Sequence, residues 1–306
     1  GWGRALPRAP SSSNYADQPQ RAPRPPGRNG PWHFCPKPRC YNGVMRATVS
    51  VLTLFFVALL SPSACGIHHV TIQRADQQMH VSGRLVVEAE DGGLLILARD
   101  GVLWAIQPDE IVRREQDEAN FVAFSKDQLA EQLLAELPAG FKVHTTANYL
   151  VCYNTSQGYA QWCGALFERL FKAFNNYWKR RGFELHAPEL PLVAVIFDDK
   201  TTYARSAEAA MGGAAHSVMG FYNLRTNRVV TYDLTGLSKL SARQRQRLSP
   251  VQINRVLSDP ATERTVATIV NEATHQIDFN CGMHQRYAEI PLWGSDGVAM
   301  HFETHD

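Results

Sequence analysis

One helical segment near the end of the chain constrains the fold more than any other feature. Asp259-Pro260 is typical of a helix N-cap followed by the first helical residue, and Gly282 is typical of the position just past a helix. Between them, apolar residues recur at helical spacing, at Val266, Ile269, Val270, Ala273 and Ile277. The pattern predicts a helix that packs one face against a core.

The same helix carries three polar residues, Asn271, Glu272 and His275. Residues four apart share a helix face, so Asn271 and His275 point the same way, and Glu272 lies about 100° around the axis. This is the spacing of the motif His-Glu-x-x-His, in which two histidines hold zinc and the glutamate takes a proton from a zinc-bound water. Here Asn271 stands in place of the first histidine.

A second helical pattern, Leu-Trp-Gly-Ser-Asp-Gly-Val-Ala-Met-His-Phe-Glu, runs from Leu292 to Glu303. It resembles the second active-site helix of gluzincin metallopeptidases, Leu-Trp-x-x-Glu-Gly-x-Ala-x-x-x-Glu, whose first glutamate is the third zinc ligand. Asp296 stands at the position of that ligand, and Glu303 at that of a residue supporting the metal site.

Together, residues 265–303 resemble an uncharacterised family of exported bacterial proteins related to peptidase-MA-like gluzincins. Its pattern is His-Glu-Ala-Thr-His-Gln-x-x-Phe-Asn-x-Gly followed by Pro-Leu-Trp-x-x-Glu-Gly-x-Ala, and the chain matches it at 272–276, 279–282 and 291–293. The resemblance extends back to about residue 84. It implies an α+β fold with a small N-terminal β meander followed by a gluzincin (zincin)-like metallopeptidase domain, which we expect to be truncated at its C-terminus.

The resemblance also implies a metal-dependent peptidase acting on a peptide or protein substrate. Glu272 would be the general base, and His275, Asp296 and Asn271 would hold the metal, which is zinc in the family, with Glu303 beside them. An asparagine oxygen is a weaker zinc donor than an imidazole nitrogen, and Asp296 is one methylene shorter than glutamate. Loss of a residue that merely supports a ligand costs about 10–100-fold in metal affinity. We therefore expect weak zinc binding, or binding of another divalent metal.

The altered ligands leave other interpretations open. One is a catalytically degenerate gluzincin-fold protein that binds peptide or envelope polymer without cleaving it. In another, His275 forms a polar cluster with Glu272 and Asp296 and no metal is involved. A third, an envelope structural protein tethered through Cys65, depends only on the export signal described next.

The first 65 residues indicate export. Residues 1–44 are rich in Pro, Ser, Gly and Arg, and we expect them to be disordered or to be upstream sequence translated by mistake. Residues 45–65 have the anatomy of a signal peptide, with Arg46, an apolar run and small residues before Cys65. The run is shorter than the roughly 20 residues of a membrane span. We expect no membrane-spanning segment after signal removal, and a location in the periplasm, on the cell surface or outside the cell. The alternatives are a retained N-terminal anchor helix and a lipid anchor at Cys65.

Removal of the N-terminal segment reverses the sign of the net charge. The whole chain has a formal charge of +2, whereas residues 65–306 hold 23 Lys and Arg against 28 Asp and Glu, a formal charge of −5. A nucleic-acid-binding surface requires the opposite sign. No nucleic-acid partner is therefore expected.

Three cysteines follow Cys65, namely Cys152, Cys163 and Cys281. An oxidising compartment permits disulfides, and three cysteines allow at most one bridge among themselves. Their spacing does not resemble a zinc-ribbon pattern.

The rest of the mature chain divides into a β region and a mixed region. Residues 84–107 alternate apolar stretches with Asp-Gly turns, which predicts a three-stranded meander within a small β module at 70–120. Ser125 begins a capping box that predicts a short helix. We assign 141–306 to the gluzincin-like catalytic-type domain, with a strand at 148–153, a long helix ended by Gly182, a buried strand at 192–197 and a hairpin of 218–222 with 228–232.

Overall fold

The computed structural model describes residues 66–236, 241–245, 247–259 and 262–303. All of them belong to the second of two units of the chain, Leu60–Asp306. The expected upstream segment and signal peptide, with Cys65, lie outside the described residues. In the described ranges, no helix has the length and apolar character needed to cross a membrane.

The fold is mixed α+β, and its first part is an antiparallel five-stranded sheet. The strands are β1 Ile67–Arg74, β2 Gln77–Glu88, β3 Leu94–Ala98, β4 Leu103–Ile106 and β5 Ile111–Gln116, in the spatial order β4-β3-β2-β1-β5. The predicted three-stranded meander is confirmed as β2–β4. Its turns place Gly92 and Gly101 at φ 91° and 88°, a region that favours glycine. The edge strand β5 gives no apolar alternation in the sequence because nearly all its residues are exposed.

A second five-stranded sheet lies at the centre of the remaining chain. Its strands are β6 Lys142–Thr145, β7 Tyr149–Tyr153, β8 Leu192–Phe197, β9 Gly220–Asn223 and β10 Arg228–Tyr232, in the spatial order β6-β7-β8-β10-β9. Strands β7, β8 and β10 are parallel, and β6 and β9 are antiparallel edge strands. The predicted strands and hairpin of this region are confirmed, with β9 beginning at Gly220.

Helices cover both faces of the second sheet. They are α1 Lys126–Glu136, α2 Gln157–Lys179, α3 Lys200–Met211, α4 Ala242–Arg245, α5 Pro250–Leu257, α6 Glu263–Asn280 and α7 Leu292–Glu303. Helices α2, α5, α6 and α7 contribute to the core on one face, and α1 and α3 to the core on the other. Successive strand residues alternate between faces, so Tyr149 and Val151 enter the first core and Leu150 and Cys152 the second.

Helix α6, which carries three of the predicted site residues, forms largely as its sequence indicates. Four of the five residues predicted to face inward are buried, namely Ile269, Val270, Ala273 and Ile277. The predicted start at Asp259-Pro260 is wrong, because α6 begins at Glu263 with Thr262 at the N-cap. The backbone N–H and the hydroxyl of Thr262 both donate to Asp259 O, so Asp259 belongs to a turn before the helix. Pro260 lies outside the described residues.

Buried polar side chains attach α6 to the second sheet. Gln276 is fully buried, and its Nε2 donates to Val193 O at 3.0 Å and to Asn227 O at 2.7 Å. The carboxamides of Asn227 and Asn280 pair through hydrogen bonds of 2.9 and 2.7 Å. Because buried polar groups require partners, these bonds fix the height and rotation of α6 against the sheet.

The cysteines Cys152, Cys163 and Cys281 are buried and free. Cys152 lies in the core under α1 and α3, whereas the other two lie on the opposite face of the sheet. Burial raises the pKa of Cys152 and of Cys281 to about 12. The single bridge that the sequence permits among these three cysteines is not formed, and the thiols of Cys152 and Cys281 stay protonated at neutral pH.

Candidate functional site

The predicted site residues meet where α6, α7 and β9 lie side by side. Helix α7 packs along α6, with Ala299 fully buried, and β9 runs beside α6 at the edge of the sheet. This packing brings two groups of residues together, Asn271, Glu272 and His275 on α6 and Asp296 and Glu303 on α7.

Asn271 contacts Glu303 directly. The Asn271 Nδ2 donates a hydrogen bond to Glu303 Oε1. One N–H of the carboxamide is therefore engaged, and the oxygen is the atom of the carboxamide whose lone pairs can accept a proton or bind a cation. The contact also holds the Glu303 carboxylate near Glu272.

His275 lies between two residues of α7. A hydrogen bond of 3.1 Å joins His275 Nδ1 to Ser295 Oγ, and His275 Nε2 lies 3.9 Å from Asp296 Oδ1. The His275 side chain is 16% exposed and that of Asp296 is 48% exposed. Burial lowers the pKa of His275 from its ordinary 6.5, although the Asp296 carboxylate acts in the opposite direction. One nitrogen is thus bonded to a hydroxyl and the other directed at a carboxylate, an arrangement suited to holding a cation or a proton.

Glu272 is a partly buried carboxyl tied to the edge strand. Its Oε2 accepts a hydrogen bond of 2.7 Å from the backbone N–H of Tyr222 in β9. Burial raises the pKa of Glu272 to about 7, and the carboxylates of Glu303 and Asp296 add to the increase, while the Tyr222 N–H opposes it. A carboxyl with this pKa exchanges protons near neutral pH, as a general base must.

A cleft of about 420 Å³ opens onto part of this site. Its walls are formed by Met219, Arg264, Ala267, Thr268, Asn271, Glu272 and Glu303. His275 and Asp296 are not among its lining residues. A molecule in the cleft would therefore reach Glu272 directly, and the Asp296 carboxylate is near enough to raise the pKa of Glu272.

The residues predicted to hold a metal offer one imidazole nitrogen from His275, the carboxylate of Asp296 and the amide oxygen of Asn271, and this set of donors suits a divalent cation that accepts oxygen better than it suits a closed zinc site. Of these donors, the His275 nitrogen and the Asp296 carboxylate lie close to each other. In the described part of the chain, no group of three or more His, Cys, Asp and Glu side chains is arranged to hold a metal ion. Two ligands of one tetrahedral metal lie about 3.4 Å apart, so the 3.9 Å between His275 Nε2 and Asp296 Oδ1 requires only a small adjustment.

The sequence patterns do not predict two contacts of the site. Ser295, which bonds to His275, directly precedes Asp296 in the second helical pattern, and that adjacency is the signal that identifies it. Tyr222 contributes a backbone N–H. Every non-proline residue has such a group, so no sequence pattern marks it.

A buried Asp–His pair follows the site along the chain. His284 Nδ1 lies 2.6 Å from Asp278 Oδ2, and Asp278 is fully buried. Burial raises the pKa of Asp278, and its other oxygen, Oδ1, makes no hydrogen bond to any described residue. This pair connects the end of α6 to the loop before α7.

Comparison with known protein families gives a match over the part of the chain that holds this site. Residues 265–306 match the model of a family described as "Protein of unknown function (DUF1570)". The match supports the resemblance of this region to a domain of unknown function. No significant match to the chain was found among curated proteins or among solved structures.

Proposed function

We propose that the protein is an exported metal-dependent peptidase of the gluzincin type, with Glu272 as the general base. The observation that carries the proposal is the Glu272 carboxyl, whose pKa is raised to about 7 and which lines an open cleft next to the His275–Asp296 contact. The resemblance of the two helices to the gluzincin pattern supports the same reaction.

In the proposed reaction, His275, Asp296 and the oxygen of Asn271 would hold the cation, which would supply Lewis-acid activation of water and of the scissile carbonyl. Ser295 orients His275 through its Nδ1. Such bonds to the second ring nitrogen fix the tautomer and direction of a ligand histidine.

Glu272 accepts the proton from the attacking water and later passes it to the departing amine. The Tyr222 N–H holds one carboxylate oxygen at 2.7 Å, which leaves the other oxygen for the proton. Because Glu272 must be ionised to act as a base, we expect turnover to fall at low pH, where the carboxylate takes up a proton.

A second cavity gives the proposed substrate a place for an apolar side chain. It has a volume of about 460 Å³ and shares Ala267 and Glu303 with the cleft. Its walls include Trp162, Leu166 and Leu257. We therefore expect a preference for peptides with a large apolar residue near the cleaved bond.

The test uses the purified chain with unfolded casein as substrate. Metal content is measured by elemental analysis, and turnover is measured after chelation and after addition of Zn²⁺ or Mn²⁺. Glu272→Gln is expected to lower turnover at least about 100-fold without loss of bound metal. Glu131→Gln, on the exposed side of α1, is the matched control and should retain full activity. Absence of stoichiometric metal together with no casein cleavage would refute the proposal.

A degenerate gluzincin-fold protein is the second candidate, and Asn271 favours it. The Asn271 nitrogen donates a hydrogen bond to Glu303. The group left to bind a metal at this position is therefore a neutral amide oxygen, whereas the family pattern has an imidazole. Such a protein would bind unfolded casein or an envelope polymer and release no fragments. Chelator-sensitive cleavage that disappears in Glu272→Gln would reject this candidate.

Export and a lipid anchor at Cys65 are part of the proposal and are tested separately. Expression of the full chain in a bacterial host, followed by mass spectrometry of the mature N-terminus, should place the cleavage before or near Cys65. Full-length chain retained in the cytoplasm would contradict export, and an unmodified Cys65 would contradict the anchor.

A further inference from the structure

Another cavity, which none of the proposed catalytic or metal-binding residues lines, lies between the first sheet and the end of α6. It has a volume of about 440 Å³. Leu97 and Leu103 of the first sheet and Phe279 of α6 give it apolar walls. Charged and ionisable side chains, including Arg286, complete the lining. Cavities of this size with apolar walls and a few polar groups are the usual sites of small ligands.

Arg286 is a buried cation that has no acidic partner among the described residues. It is only 8% exposed, and its Nη1 donates to Gly101 O at 2.9 Å and to Leu224 O at 3.1 Å. Both acceptors are neutral carbonyls, and no carboxylate in the described ranges pairs with the guanidinium. Burial lowers the pKa of Arg286. Because a buried charge is costly unless an opposite charge accompanies it, the cavity lacks one negative group.

The other edge of the Arg286 guanidinium is available to bind a negatively charged group. Neither Nε nor Nη2 of Arg286 makes a hydrogen bond within the described part of the chain, and neither is among the fully buried polar atoms that lack a partner. Nε and Nη2 form the edge of arginine that presents two parallel N–H donors. This edge matches the two oxygens of a carboxylate or phosphate.

The other ionisable groups of the cavity do not neutralise Arg286. Glu189 is the only acidic residue among the described residues of the lining, and Arg84 binds both of its oxygens at 2.8 and 2.7 Å. His186 and His284 also line the cavity, and each uses its Nδ1 outside it, on Ala187 O and on the Asp278 carboxylate respectively. The excess charge of the cavity is therefore positive.

We propose that this cavity binds a small molecule with an apolar body and one oxyanion group, a carboxylate or a phosphate, and that the Nε–Nη2 edge of Arg286 receives the oxyanion. The apolar body lies against the walls that the first sheet and α6 provide. The site is separate from Glu272 and its cleft, and its occupation does not depend on the proposed peptidase activity.

Isothermal titration calorimetry of the purified chain at constant ionic strength tests the proposal with three probes. Benzoate and phenyl phosphate carry the two oxyanions, and benzamide is the neutral analogue of benzoate. We expect saturable binding of one equivalent of benzoate or phenyl phosphate, at least about tenfold tighter than benzamide. The tighter of the two anions identifies the preferred oxyanion. Absence of saturable binding by both anions, or equal affinity for benzamide, would overturn the proposal.

Two variants locate the site. Arg286→Met should weaken binding of the preferred anion at least about tenfold, and unchanged affinity in a folded Arg286→Met protein would overturn the proposal. If circular dichroism shows that Arg286→Met does not fold, Val86→Trp provides the test. Val86 lines the cavity, and a tryptophan at this position fills it without altering Arg286. Loss of binding in folded Val86→Trp supports the site, and retained binding refutes it.

Discussion

Replacement of Glu272 by glutamine should stabilise the metal-free protein at high pH. The Glu272 carboxyl has an ordinary pKa of 4.5, which burial raises to about 7 in the folded chain. Glutamine keeps an oxygen that accepts the Tyr222 N–H, so the substitution removes the charge and preserves this hydrogen bond. The variant therefore isolates the cost of an ionised carboxylate at this position.

The sign and size of the effect follow from proton binding. Between pH 4.5 and about 7 the folded state holds a proton at Glu272 that the unfolded state has lost. The free energy of unfolding of the wild type therefore falls as pH rises through this window, with the contribution complete below pH 4.5 and lost above about 7. Each pKa unit corresponds to about 1.4 kcal/mol, so the total loss is about 3 kcal/mol. The Glu272→Gln variant should not show this loss of unfolding free energy.

The measurement is urea unfolding at pH 4 and pH 8 in the presence of a chelator. The difference in the free energy of unfolding between Glu272→Gln and wild type should shift by about 2–3 kcal/mol in favour of the variant from pH 4 to pH 8. Glu131→Gln, at an exposed position of α1, is the control and should follow the wild-type profile. Equal pH dependence in wild type and Glu272→Gln would show that burial does not perturb this carboxyl.

Three further substitutions test the packing and the site. Gln276→Leu removes two hydrogen bonds that this side chain donates to the backbone carbonyls of buried residues, and it should lower the free energy of unfolding by about 2–4 kcal/mol in urea. Ile277→Ala, at a fully buried position, should cost about 2–5 kcal/mol in the same assay. Ser295→Ala frees His275 Nδ1 and should weaken Zn²⁺ or Mn²⁺ binding about 10–100-fold in a metal titration, with little change in stability; unchanged metal affinity would indicate that His275 is not a ligand.

Local patterns in the sequence predict the main elements around the site. The apolar spacing of α6 identifies four buried residues, because side chains at helical spacing share one face whatever the helix packs against. The turn glycines of the first sheet and the capping box at Ser125 are equally local. The N-terminus of α6 is mispredicted, since Asp259 and Thr262 form a turn that a dipeptide preference does not reveal.

The sequence by itself determines that Asn271, Glu272 and His275 share a helix, because their spacing fixes their directions on it. Only the tertiary structure decides their chemistry. The raised pKa of Glu272 arises from burial beside β9 and from carboxylates on α7, and its Tyr222 partner is fifty positions away along the chain. The unpaired charge of Arg286 is likewise visible only once the first sheet and the end of α6 enclose it. The desolvation of an ionisable side chain and its pairing with other charges depend on residues that are distant in sequence, and only folding brings those residues together.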